Sequence, residues 1–202
     1  MTTELIELYE AERSRIAALD DKGDLNNPVF GEGPLNAPLM LIGEAPGGEE
    51  AKSGRPFVGT AGKTLSRLLI AAGIERERVF ITNAVKFRPV CVKPKSVSNR
   101  TPKPKEVLAS LPLLRQELRI IRPQIVATLG NTPLNAVLRL AGRESATIGA
   151  VHGMRIDCHL EGVSFTLFPL YHPASTIYNR ALTETLAQDL SELNVLLKER
   201  CF

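Results

Sequence analysis

The sequence predicts an α/β protein in which a short, mainly parallel central sheet of four strands lies between layers of helices. Short apolar runs that end in glycine or asparagine alternate along the chain with stretches whose leucines recur every three or four residues. That alternation is the pattern of a parallel sheet covered on both faces. The length of 202 residues suits one domain with a substantial core, taken as residues 1–202.

The elements follow in order. Leu5, Leu8, Tyr9, Ile16 and Leu19 place a helix over about residues 3–19. "APLMLIG" (37–43) is a short apolar run ending in glycine, as a buried strand would be. "GTAGKTLSRLLIAAG" sets Leu65, Leu68, Leu69 and Ala72 on one helical face and stops at Gly73. "RVFITNAV" reads as the second strand. In the segment 86–105 after it, Pro89, Pro94, Pro102 and Pro104 predict a stiff displayed loop without regular structure. "KEVLASLPLLRQELRIIRP" is helical in pattern with Pro112 expected to bend it, and "QIVATLG" (124–130) is a third strand. "NTPLNAVLRLAG" predicts a helix capped by Thr132 with Pro133 in its first turn. "MRIDCHLEGVSFTLFPLYHP" reads as a hairpin whose second arm, 164–170, is the fourth core strand. A leucine stripe from Leu182 to Leu197 marks the last helix, about 180–199.

Composition narrows the function classes. No apolar stretch approaches the roughly 20 residues that cross a bilayer, and the acid-rich N-terminus lacks the order of a secretory signal. A cytoplasmic protein is expected. Cys91, Cys158 and Cys201 are few, scattered and odd in number, so neither a disulfide framework nor a cysteine-built metal site is predicted. The net charge of +3 is too small to diagnose nucleic-acid binding, but its distribution is uneven. Between Lys86 and Lys105 lie seven basic residues and no acid.

In open α/β sheets ligands gather beyond the carboxyl ends of the strands. Four such ends are predicted to converge: Gly43 to Gly48, Asn83, Gly130 with Asn131, and "YHPAST" (171–176). Glu44, Asn83 and His172 are the polar groups there best suited to chemistry. A metal site is disfavoured because His172 has no second histidine at ligand spacing. Nucleotide hydrolysis is disfavoured too, since "GTAGKT" brings its first glycine too close for a phosphate loop.

"GEAPGGEEAKSGRPFVGTAG", "ITNAVKFRP" with the later "NRTPKPKE", "IRPQIVATLGNTPL" and "LYHPAS" resemble, in order and spacing, the signature blocks of the family 4 uracil-DNA glycosylases over about residues 28–180. The resemblance implies a three-layer α/β/α sandwich and a monofunctional enzyme that flips uracil out of DNA and hydrolyses its N-glycosidic bond. It implies Phe57 as the stacking residue, Asn83 as the reader of the base edge, and His172 with the backbone of Gly43 to Ala45 as donors to the leaving uracil. Glu44 would orient or activate water and stabilise the sugar cation, and Glu50 would lie near C5 of the base. DNA contacts are expected from Lys86, Arg88 and Arg100 in the basic segment, from Ser175 and Thr176, and from an apolar wedge at Ile177 or Tyr178.

One departure stands out. The family pattern carries four cysteines that hold an iron–sulfur cluster, one directly after the Val-Lys of the second block and one in the following helix. Here Phe87 follows Lys86, the helix has Ala109 and Ser110, and residues 1–90 hold no cysteine. No cluster is expected, as in cluster-free relatives. The expected partner is uracil-containing DNA, bound by a monomer. Two other readings stay open: a non-catalytic or trapping uracil-DNA binder of the same fold, and a small-molecule α/β enzyme. A broader specificity for deaminated bases also stays open.

Overall fold

The computed structural model describes residues 2–19, 27–179 and 181–201, with the side chains of Ile177, Tyr178 and Cys201 outside the described set. Its centre is a sheet of five strands: β1 (Leu39–Gly43), β2 (Val79–Asn83), β5 (Ile125–Leu129), β6 (Ile156–Leu160) and β7 (Val163–Leu170). Their order is β2-β1-β5-β7-β6. β1, β2, β5 and β7 are parallel, and β6 runs antiparallel beside β7. The sheet therefore exceeds the expected four strands by one. In β6 the outward Asp157 and His159 alternate with buried Cys158 and Leu160, so this edge strand lacks the continuous apolar run of its buried neighbours. Its turn onto β7 places Glu161 and Gly162 at φ +45° and +84°.

Alternation along each strand sends neighbouring residues to opposite faces. From β1, Met40 and Ile42 join one core with Phe80, Val126 and Leu167; Leu39 and Leu41 join another with Ile81, Ala127 and Phe168. The first face is covered by α1 (Thr3–Ala17), α4 (Pro104–Ile121) and α5 (Asn131–Leu140), through Leu5, Leu114, Leu118 and Leu134. The second is covered by α3 (Thr60–Ala71) and α8 (Ala181–Cys201), through Leu65, Leu69, Leu186, Leu190 and Leu193. The expected α/β/α sandwich is thus the observed one. α3 ends where Gly73 predicts, at φ +75°, with the Ile74 N–H returning to the Leu69 carbonyl at 2.9 Å.

The basic segment departs from expectation. It contains an antiparallel hairpin, β3 (Val90–Lys93) and β4 (Ser96–Asn99), with Lys93 opposite Ser96. Its prolines occupy positions that do not donate to the ladder: Pro94 in the turn, the others flanking, and Pro104 in the first turn of α4. Short helices α2 (Gly48–Ser53), α6 (Ile148–Val151) and α7 (Ser175–Tyr178) and a single 3₁₀ turn at Arg76–Arg78 complete the described elements. Among the described residues no helix is long and apolar enough to cross a membrane.

Candidate active site

The four parallel strands end on one edge, and the loops leaving them enclose a pocket of about 360 Å³. Its lining includes Ala45, Glu50, Phe57, Asn83, Asn99 and His172. Gly43, outside that lining, pairs with Asn83 across β1 and β2. A Cβ at Gly43 would stand 2.4 Å from Asn83 Oδ1 and 2.4 Å from Phe57 Cζ. Glycine is the residue that lets a buried amide and an aromatic ring meet over the end of a strand.

Asn83 is held by its backbone. On one side the Ala84 N–H donates to the Gly43 carbonyl at 2.8 Å. On the other, Lys86 Nζ donates to the Asn83 carbonyl at 2.6 Å, to Thr82 Oγ1 at 2.6 Å and to Glu117 Oε2 at 2.7 Å. The Tyr9 hydroxyl donates to Glu117 Oε1 at 2.9 Å. Lys86 and Glu117 are both fully buried. Burial pulls the Lys86 pKa below its ordinary value against the opposing pull of Glu117, and burial with Glu117 raises that of Tyr9. This network corrects the expectation for Lys86, which no phosphate can reach.

Phe57 has φ +54°, in the left-handed region that side chains avoid. Its ring is buried and stands 6.4 Å, centroid to centroid, from the His172 ring at a tilt of 34°. Glu50 lines the same pocket, and its Oε1 accepts from the Val58 and Gly59 N–H groups at 3.1 and 2.8 Å. His172 Nδ1 accepts from the Ala174 N–H at 3.1 Å. A ring nitrogen that accepts a backbone donor is unprotonated, so the neutral imidazole carries its proton on Nε2. Burial pushes the His172 pKa below 6.5, opposed in part by Glu50, which keeps this tautomer neutral at neutral pH.

Glu44 stands apart from the pocket lining. Its Oε2 accepts the Thr132 hydroxyl at 2.6 Å. α5 begins at Asn131, with Gly130 at φ +93° as its cap and no side-chain capping bond. Thr132 is therefore not the expected helix cap; it sits inside the first turn and serves Glu44 instead. Nothing local in "LGNTPL" announces a partner 88 residues away.

The expected DNA-contacting residues divide. Arg88 packs 3.3 Å from where a Gly48 Cβ would lie and donates to Asn99 Oδ1 at 2.7 Å, on the pocket rim. Arg100 instead grips Glu106 with both terminal nitrogens at 2.8 and 2.6 Å, joining the hairpin to α4. The Ser175 and Thr176 hydroxyls donate to the His172 and Pro173 carbonyls at 2.6 and 2.7 Å, fixing the turn behind His172. The Ile177 and Tyr178 side chains lie outside the described residues. Glu49 pairs with exposed Lys52, which lowers its pKa; Lys63 and Arg88 add to that effect from around the mouth. Lys63 and Arg67 on α3 line a second, basic hollow that shares Phe57 and Thr60 with the pocket wall. Those two cations carry no signal in the sequence beyond their charge.

The donor set does not fit an iron–sulfur cluster. Phe87, where the resemblance implies a thiolate, is buried against Ile16 and Val85, and Ser110 in α4 is a buried hydroxyl without a hydrogen-bond partner. Cys91 is exposed and Cys158 buried, and the three cysteines of the sequence fall short of four thiolates. Among the described residues no group of three or more His, Cys, Asp or Glu is placed to hold a metal ion.

The model of the uracil DNA glycosylase superfamily matches residues 30–194 of the chain. A Type-4 uracil-DNA glycosylase of Saccharolobus solfataricus is 39% identical over 175 residues, covering 86% of this chain and 78% of the relative. A Type-4 uracil-DNA glycosylase of Thermotoga maritima is 35% identical over 198 residues, covering 97% and 96%. A Type-5 uracil-DNA glycosylase of Pyrobaculum aerophilum is 33% identical over 180 residues, covering 81% and 74%.

Proposed function

The chain belongs to the uracil DNA glycosylase superfamily, and from that premise we propose that it hydrolyses the N-glycosidic bond of uracil in DNA, leaving an abasic site for base excision repair. The observation that carries the reading is the meeting of Phe57, Asn83 and His172 in one pocket at the strand ends. A base inside a duplex is unreachable, so the nucleotide is extruded and its base enters this pocket. The ring of Phe57 stacks on it. The Asn83 amide pairs with the N3–H and O4 edge of uracil, a pattern that cytosine mismatches.

As the bond from N1 to C1′ breaks, negative charge gathers on the uracil and positive charge on the sugar. His172 donates its Nε2 proton in a hydrogen bond to O2, joined by N–H groups of the Gly43 to Ala45 turn. A neutral imidazole suits this task because it donates without having to lose a charge. Glu44, oriented by Thr132, stabilises the sugar cation and directs water to C1′. Glu50 presents its carboxylate on the wall facing C5 and hinders a methyl group there.

DNA backbone contacts come from Arg88, from Lys93 and Lys95 on the hairpin, and from Lys63 and Arg67 on α3. The protein acts as a monomer in the cytoplasm. It works without an iron–sulfur cluster, with the packing of Phe87 in the cluster's place. A trapping binder is disfavoured: the family resemblance implies that relatives which trap DNA carry the bond on a histidine in the loop after the second block, and residues 84–105 contain none.

The test is a substitution panel. Asn83→Ala, Glu44→Ala and His172→Ala each impair uracil release while leaving DNA binding, and iron analysis of fresh protein finds none. Replacing Lys63 and Arg67 together lowers the slope of log affinity against log salt by about one per lost phosphate contact. Full activity in all three alanine variants would defeat the site assignment.

A further inference from the structure

The turn that carries Phe57 is gripped by two side chains of opposite charge. Arg76 Nη2 donates to the Pro56 and Phe57 carbonyls at 3.1 and 3.3 Å, while its Nη1 donates to Ser66 Oγ at 3.2 Å. Glu50 Oε1 takes the next two N–H groups, those of Val58 and Gly59. Two successive carbonyls thus meet a cation, and the two N–H groups that follow meet an anion. Gly62 closes the third side, since a Cβ there would lie 2.0 Å from the Phe57 carbonyl oxygen.

The residue at the centre of this grip is the one with φ +54°. A non-glycine residue in that region persists only where its surroundings over-determine it. Here the grip does so, and it has a geometric consequence. Arg76 opens the 3₁₀ turn immediately before β2, the strand that ends in Asn83. The aromatic wall and the amide wall of the pocket are therefore both referenced to one strand.

We propose that Arg76 and Glu50 form a clamp that sets the angle of the Phe57 ring over the flipped base, which makes Arg76 a positioning residue for uracil removal. This rests on the reading of Phe57 as the stacking surface. Arginine is suited to the task because its planar fork reaches Ser66 and the carbonyls at once, where a lysine ammonium is a single point.

A double-mutant cycle tests it, with wild type, Arg76→Met, Phe57→Leu and the double variant compared in single-turnover uracil release, well below each melting temperature. Arg76→Met is expected to slow release by about tenfold or more with little change in the half-saturating enzyme concentration, as misplacement of a contacting group does. In the Phe57→Leu background the same change should cost less than about twofold, because the ring through which Arg76 acts is gone. Losses that multiply, or full activity of Arg76→Met, would overturn the clamp. If Arg76→Met does not fold, Arg76→Lys, which keeps the charge but lacks the planar fork, takes its place under the same criterion. No uracil release by the wild type, or a wild-type rate in Phe57→Leu, would instead overturn the stacking reading beneath it.

Discussion

Gly43→Ala adds one methyl group at the point where the amide and aromatic walls of the pocket meet. Gly43 lies in β1 and is not among the glycines with positive φ, so alanine is conformationally acceptable and the penalty is steric. The new Cβ would lie 2.4 Å from both Asn83 Oδ1 and Phe57 Cζ, where ordinary contact begins at 3.4 Å, so relief requires a shift of roughly 1 Å. Neither neighbour yields freely. The Asn83 backbone is held by the β1–β2 ladder and by Lys86, so its amide gives way only by turning out of the position that reads the base, and the backbone around Phe57 is held by Glu50 and Arg76. A displacement of about 1 Å in a reactive constellation costs on the order of 100-fold in rate. Overpacking itself costs about 1–3 kcal/mol, or roughly 2–12 °C in melting temperature for a chain of this size. The expected result is therefore a folded protein whose kcat/KM on a uracil-containing single strand falls by about two orders of magnitude. A folded Gly43→Ala protein within threefold of wild type would refute the packing argument.

Three further outcomes follow from the same contacts. Lys86→Met strands the Glu117 carboxylate in the core and should cost about 3–5 kcal/mol by calorimetry; adding Glu117→Leu should recover much of the loss, and a double variant less stable than Lys86→Met would contradict this. Thr132→Val releases Glu44 and should lower kcat by about tenfold with KM unchanged, since a hydrogen bond to a charged group is worth about 1.5–3 kcal/mol. Burial keeps the folded His172 pKa below 6.5, so its neutral form and the bond from Ala174 persist above that pH. Its contribution to stability is full above 6.5 and is lost as pH falls, because the unfolded chain takes up the proton first. The wild-type rate should likewise be level above 6.5 and decline below it, and an acid limb centred above pH 7 would contradict the assignment.

What is legible in the sequence is local. Buried parallel strands announce themselves as apolar runs, and the glycine, asparagine and histidine at or just beyond their ends are enough to bring Gly43, Asn83 and His172 to one rim. β6 is only half legible, because its residues alternate polar and apolar and resemble a solvent-facing hairpin arm. The hairpin at 90–99 is hidden by prolines that break strands elsewhere but are accommodated in a turn and at the flanks. Partnerships across the fold leave no local trace. Lys86 sits in the most basic stretch of the chain, yet its position after a buried strand and opposite Glu117 of α4 takes it into the core. Thr132 resembles a helix cap because capping and carboxylate binding both ask for a hydroxyl near a helix start. Arg76 reads as a surface cation in "GIERERVF", and only the path of the Phe57 turn gives it a use.

The central claim is tested most directly by incubating the purified protein, in EDTA, with oligonucleotides carrying uracil opposite guanine, opposite adenine and in a single strand, and measuring free base by mass spectrometry. Free uracil is expected to be released with abasic sites in equal amount, and matched cytosine and thymine strands are expected to release nothing. Absence of free uracil from every one of the three substrates would contradict the claim.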